Sequence, residues 1–494
     1  MGDRPDKWAL VFGCLIVGFF WLIGGGKELW FDERFVQVVA SQSFPDMFGL
    51  LKFENNPPLT FLVTKIWMGM VGSSPLALRA STLLPTLATL VVVQQLVRSM
   101  AGRRVASLAV ILTAVSGQVI IQSQELRMYP WVMLWSAIAL LIAWQLIHGG
   151  RAALVVWLVA VYILGLYTHY TFGFMVAATA AWVMFQRRDL WKTVAIGLIV
   201  TGLCFAPWLW YSVWAKLTDL SANVGIQRIA ASRPAALLLP FQFIIPPPLQ
   251  DHFGWLIVRL AGGVGIVVGL VGFIARVRDR AQFGRRLLLA TSLVALVGLV
   301  GAGIVVAKYA SILIVPIVIM VAWGLIDLPF SNRIRLVVVG VLIGAAGLLS
   351  WQQARMPYVT YAAAADIVEQ AERPGDVVLV YPFNDTIAVK PEYQGNLPVR
   401  GFFPLKSPAE VGLPDIIRYN FRVTLTPDNI GRLSDYVDGA ARVWFFFDVP
   451  PSAGYWHGDL IAEWFRSHGY TATRYTEIFR RVPPLLIRYD LNQP

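Results

Sequence analysis

The residues able to do chemistry lie in short polar islands between long apolar runs. Asp32 and Glu33 follow the first run, in Leu29-Trp-Phe-Asp-Glu33. Adjacent carboxylates on a helix point in different directions, so one can meet a substrate while a cation holds the other. A carboxylate so placed could accept the proton of an attacking hydroxyl; the plainer reading is a pair of interfacial charges in water. Glu54 opens Glu54-Asn-Asn-Pro-Pro-Leu59, whose prolines stiffen the chain and set a helix start. A capping turn without a ligand would look the same. Gln122-Ser-Gln-Glu-Leu-Arg-Met-Tyr-Pro130 packs Glu125, Arg127 and Tyr129 between two apolar runs. Arg127 could clamp a phosphate or pair with Glu125 or Asp32, and Arg79 is a weaker case of the same kind. His169, in Tyr-Thr-His-Tyr170, is open to three readings: metal ligand, donor to a phosphate, or interface residue. No His/Asp/Glu set recurs at ligand spacing, so no metal or other cofactor is expected, a divalent cation staying open. Lys308 and Tyr309 stand between two apolar runs, where a lysine is costly unless it snorkels to the interface or reaches an anion.

What must position these residues is a membrane bundle. Of 494 residues, 57% are hydrophobic and 14% charged, and the mean hydropathy is +0.62. A soluble domain of this size needs more surface charge. Gly 41 and Trp 19 suit close helix packing and interfacial belts. The two cysteines, Cys14 and Cys204, lie in apolar runs and can build neither a disulfide framework nor a thiolate metal site. The net charge of +12 is not one basic patch, which argues against nucleic acid. Runs long enough to cross roughly 30 Å of hydrocarbon occur at 8–25, 76–97, 105–122, 129–147, 152–168, 171–186, 191–211, 254–275, 287–306, 309–326 and 334–350. The first has the basic flank of a signal peptide without a convincing cleavage site, and reads as a retained helix.

Basic residues sort by side. Arg4, Lys7, Arg98, Arg103, Arg104, Arg151, Arg187, Arg188, Lys192, Arg276, Arg278, Arg280, Arg285, Arg286, Arg333 and Arg335 all fall on alternate connections. That side is therefore cytoplasmic. The N-terminus is inside and, with eleven spans, the C-terminal part outside. The opposite face holds loops at 26–75 and 212–253 and the turns of Arg127, His169 and Lys308. The second loop joins the apolar, proline-rich 241–248 to Arg228, Arg233, Gln250, Asp251 and His252, and could shape a lipid-phosphate entry or merely cover the bundle. Two domains are expected: 1–350 in the membrane and 351–494 as an extracytoplasmic α/β domain. In the latter, helices are expected at 362–372 and 460–468, and strands at 376–381, 443–447, 474–480 and 485–489. No nucleotide fingerprint, HExxH or nucleophile elbow occurs there.

This order of motifs resembles the C-type glycosyltransferase superfamily, in particular bacterial members such as the protein O-mannosyltransferases of family 39 and the lipid A aminoarabinose transferases. The matching features are Asp32 and Glu33 after the first span, Glu54 to Leu59 with its Pro-Pro, Glu125 to Tyr129 before the fourth span, Tyr170 after His169, and Lys308-Tyr309 followed by Pro316. The resemblance covers residues 8–350. It implies a GT-C-like bundle of about eleven transmembrane helices, in a bacterial cytoplasmic membrane. It implies an enzyme taking a sugar from a polyprenyl-phosphate donor and passing it, with inversion, to a lipid, glycan or protein acceptor among membrane lipids. The catalytic acid of the first outer loop would fall on Asp32, with Glu33 the alternative. Arg127, His169 and Lys308 would meet donor phosphate. Lysine at 308, where relatives carry arginine, keeps the charge and loses the bidentate fork. A lipid-linked-sugar transporter or flippase would need polar groups at mid-membrane and often internal repeats. A non-catalytic envelope assembly protein would use the bundle only as an anchor.

Overall fold

Without water to bond to, an apolar chain closes its backbone hydrogen bonds within helices. In the computed structural model a helix forms over each expected run. The structure describes residues 4–218, 237–246, 253–277, 283–303, 306–356, 359–418, 425–447, 458–475 and 485–492; Arg228, Arg233, Gln250, Asp251, His252, Arg278 and Arg280 lie outside them. In chain order the helices are α1 (Arg4–Gly24), α2 (Phe31–Ser41), α3 (Phe44–Leu51), α4 (Leu59–Val71), α5 (Pro75–Ala101), α6 (Arg103–Val115), α7 (Gly117–Ser123), α8 (Tyr129–Ile147), α9 (Leu154–Thr168), α10 (Phe172–Gln186), α11 (Trp191–Thr218), α12 (Leu239–Ile244), α13 (Phe253–Ala275), α14 (Phe283–Gly301), α15 (Ile314–Asp327) and α16 (Asn332–Arg355).

Seven of these, α1, α5, α8, α11, α13, α14 and α16, are long and apolar enough to cross a membrane, and α6 with α7, bent by 57°, makes up to eight. Helices α9, α10 and 311–327 account for the rest of the eleven expected runs, but are shorter. At 1.5 Å per residue a 15-residue helix covers only about 22 Å, so length alone does not reach eleven.

The chain divides into two compact units. One takes Met1–Gly26, Asn56–Trp210 and Arg228–Met356; the other takes Lys27–Asn55, Tyr211–Gln227 and Pro357–Pro494. In the first, α13 and α15 cross with their backbones touching. A Cβ on Gly324 would lie 1.7 Å from the Gly269 carbonyl oxygen, and one on Gly272 would lie 2.7 Å from that of Gly324. Close crossings of this kind replace the hydrophobic drive that lipid removes. At the Phe273 and Asp327 ends of the same helices the structure revises one reading. Arg285, counted above among loop cations, is fully buried in the first turn of α14. Its guanidinium lies over the rings of Phe273 and Trp323 at 4.9 and 4.7 Å, donates to the Phe273 carbonyl at 2.8 Å and pairs with Asp327. A charge buried this deeply persists because it is paired and bonded.

The second unit continues with α17 (Tyr361–Ala371), β1 (Val377–Tyr381), α18 (Thr386–Val389), β2 (Val399–Gly401), α19 (Leu413–Arg418), α20 (Leu433–Val437), β3 (Arg442–Phe447), α21 (Gly458–Ser467), β4 (Tyr470–Arg474) and β5 (Leu485–Leu491). Strand order is β2-β1-β3-β5-β4, with β1 parallel to β2 and β3, and β5 antiparallel to β3 and β4. Both faces are covered. Val377, Leu379, Val443 and Phe445 meet Tyr436, Ile461 and Phe465 on one side, while Val378, Val380, Trp444 and Phe446 meet Tyr361, Ala365, Val368 and Val389 on the other. Two-sided burial explains why β1 reads as an unbroken apolar run. The fourth strand ends at Arg474, where the sequence led us to expect one starting, and 476–480 lies outside the described residues.

Replacing Gly324 by Ala inserts a methyl into a backbone contact. We expect a loss of at least about 1–3 kcal/mol, measured by thermal unfolding in detergent, whereas Gly340→Ala, which meets nothing within 4 Å, should not lower the midpoint.

Candidate functional site

The first unit builds its polar centre at a broken helix. Helix α6 stops at Ser116, and α7 starts at Gly117, where a Cβ would lie 2.3 Å from the Pro246 ring. From Gln122 in the last turn of α7, through the non-helical 124–128, to Pro130 in the first turn of α8, every residue is buried, although the segment carries Gln122, Ser123, Gln124, Glu125 and Arg127. Irregular backbone at this depth survives only if the protein satisfies it. Thr82 donates to the Ser123 carbonyl at 3.0 Å, Gln124 Nε2 to the Phe20 carbonyl at 2.7 Å, and the Arg127 amide to the Glu125 carbonyl at 2.8 Å. Gln122 Nε2 donates to Ser311 Oγ at 2.8 Å, and Ser311 in turn donates to the Lys308 carbonyl. That relay ties the turn of Arg127 to the turn of Lys308.

Three sequence-derived candidates meet here as rings. Tyr129, His169 and Tyr309 have centroids 6.0, 5.9 and 6.3 Å apart for the pairs 129–169, 169–309 and 129–309. Each comes from a different connection. The Lys308 ammonium lies over the Tyr309 ring at 5.5 Å. His169 Nδ1 lies 2.8 Å from Thr171 Oγ1 and accepts the Thr171 amide at 3.2 Å. Burial, and behind it the Arg127 charge, pushes the imidazole down to about 4. His169 is thus a neutral donor beside a cation. Arg79, fully buried, is occupied elsewhere: it donates to the Gly25 carbonyl at 2.9 Å, and its own carbonyl accepts from Trp21. Glu125 is buried within the same linker as Arg127. Neither Gln122 nor Ser311 stood out in the sequence, since single amides and hydroxyls beside apolar runs carry no spacing signal.

The second unit holds Asp32, Glu33 and Glu54. Asp32 and Glu33 form the first turn of α2, where carboxylates favour the positive helix end. Glu33 is fully buried and turns back to accept the Trp30 amide at 3.4 Å, satisfying that N–H at the start of the helix. Asp32 is half-buried. The two adjacent acids are therefore told apart: one closes the helix and the other is turned differently. Glu54, buried, follows α3, where Arg418 lies over the neighbouring Phe53 ring at 5.7 Å. Just before α2, Glu28 accepts the Ala362 amide at 3.2 Å. Its carboxyl is raised above the ordinary range by burial, with the nearby Glu392 adding to it. Among the described residues no group of three or more His, Cys, Asp or Glu could hold a metal ion.

Two outcomes test this unit. Glu33→Ala should cost about 1 kcal/mol through the lost cap, read as a lower unfolding midpoint. Because the raised Glu28 carboxyl binds its proton more tightly folded than unfolded, its charge penalises folding above that pKa. Glu28→Gln should raise the midpoint at pH 7–8 and leave it unchanged below 4.5.

No family model matches the sequence and no curated protein matches it. Solved structures do. ArnT from Cupriavidus metallidurans bound to undecaprenyl phosphate is 12% identical, with a TM-score of 0.59 and 98% of each chain covered. The archaeal oligosaccharyltransferase AglB from Archaeoglobus fulgidus, in complex with an inhibitory peptide and a dolichol-phosphate, is 14% identical at a TM-score of 0.52, covering 96% of this chain and 74% of that one. At such identities the likeness is one of architecture: the chain shares with these solved structures an apolar helical bundle and a distinct β-sheet domain.

Proposed function

We propose that the protein transfers a sugar from a polyprenyl-phosphate carrier to a lipid, glycan or protein acceptor at the outer face of a bacterial cytoplasmic membrane. The observation that carries this reading is the buried linker 122–130, which brings a cation and an aromatic group to the rings of His169 and Tyr309. Buried ionisable groups on irregular backbone in a membrane bundle mark a functional site by default. Support also comes from the fold, because the isoprenoid phosphates bound in the two solved neighbours are carriers of the class proposed here.

The chemistry needs no nucleotide. The acceptor hydroxyl attacks the anomeric carbon, its proton passes to Asp32, and the bond from that carbon to the carrier phosphate breaks with its electrons on the phosphate. Arg127 and Lys308 stabilise this departing charge, which costs least where cations are already fixed in a poorly solvated setting. His169, neutral, adds a hydrogen bond without competing for charge. A single displacement inverts the anomeric centre. Lys308 supplies a point charge, so the fork geometry of a bidentate clamp falls to Arg127.

With purified protein and a panel of polyprenyl-phosphate sugars, Asp32→Asn should slow transfer by about 10²–10⁴-fold while donor binding persists. Arg127→Ala should weaken donor binding by about 1.5–3 kcal/mol. Transfer by Asp32→Asn at the wild-type rate would remove the base assignment. Unchanged donor affinity in both Arg127→Ala and Lys308→Ala would sink the phosphate site.

A further inference from the structure

A general base is useful only if its helix is held still, and α2 has eleven residues. An isolated helix that short is marginal, so its order has to come from packing. Three attachments flank Asp32, and all lead to residues more than 300 positions later. On the N-terminal side, Glu28 Oε2 accepts the amide of Ala362 at the start of α17. At the N-cap, Trp30 lies against the cluster of Val359, Tyr361, Ala388 and Val389. On the C-terminal side, Arg34 divides its guanidinium between Gln37 Oε1 at 2.8 Å and an ion pair with Glu392, the two paired side chains being 14% and 22% exposed. Helix α18 packs on α2 as well.

We infer that the α/β domain is the platform that orients Asp32, and that Arg34 and Glu392 are its positioning pair. This rests on Asp32 being the base. It gives the domain a task although its sequence shows no chemistry of its own. Arg34 stands two residues beyond Asp32, so rotation of α2 about its axis swings both together, and the ion pair resists that rotation. Removing one partner leaves a largely buried charge uncompensated. A base displaced by a fraction of its reach slows proton transfer without loosening a donor bound elsewhere.

The test compares Arg34→Met, Glu392→Arg and the double exchange Arg34→Glu/Glu392→Arg, with Asp32→Asn alongside, using the full chain in detergent or nanodiscs. Each single variant should lower kcat for transfer roughly 10-fold or more, leave KM for the lipid donor within about twofold, and recover most of the lost kcat in the exchanged pair. Unchanged kcat in both single variants, with Asp32→Asn still inactive, would overturn the positioning role and leave the base intact. Full activity of Asp32→Asn would instead remove the base itself. A lower unfolding midpoint with kcat and KM both degraded, or no recovery in the exchanged pair, would reduce the contact to ordinary stabilisation and overturn the inference. Glu392→Gln, which keeps a hydrogen bond, should lie between wild type and Glu392→Arg in kcat.

Discussion

Polar groups inside an apolar bundle, backbone and side chain alike, must find their hydrogen bonds within the protein, and the stretch from Ser116 to Pro130 shows how much of the first unit is arranged to meet that demand. Helix α5 lends Thr82, α1 lends the carbonyl of Phe20, and the 306–311 turn lends Ser311. Helix α7 can approach Pro246 only because residue 117 is glycine. Once those contacts are made, the linker cannot relax into a straight span, and its polar side chains stay in the interior. The same demand holds the ring cluster together, since Tyr129 ends the linker and Tyr309 belongs to the turn that Gln122 reaches through Ser311.

Charge is handled differently in the two units. Arg79 and Arg285 in the bundle are quenched by backbone carbonyls, and Arg285 also by a carboxylate and two rings. In the second unit pairs are half-exposed or buried on a sheet: Asp376, for example, accepts from Arg442 and from Trp444 Nε1. The arginines are thus mostly architectural. Arg127 also sits beside an imidazole whose ionisation it opposes.

Much of this was legible in the sequence. Alternating sides of charge and apolar length gave the bundle, and an arginine against that bias singled out 127. The sheet domain was readable because β1 and β3 are continuous apolar strands flanked by amphipathic helices. The three-residue β2 was not, since so short a strand carries no period. Sequence could not show that Glu33 turns back to the Trp30 amide, because that depends on the direction its side chain takes in the first turn of α2. Nor could it show Glu28 or Glu392, whose partners lie 334 and 358 residues away. Arg285 was misjudged as a loop charge for the same reason: its partners come from two other helices.

The sheet order has a consequence for biosynthesis. Strand β5 lies between β3 and β4, so an interior place in the sheet is filled by the last of its strands to be made. The helix bearing Asp32 leaves the ribosome several hundred residues before Ala362 and Glu392 exist to receive it. A nascent chain therefore passes through a stage in which α2 is complete while the residues it docks on are still to be made.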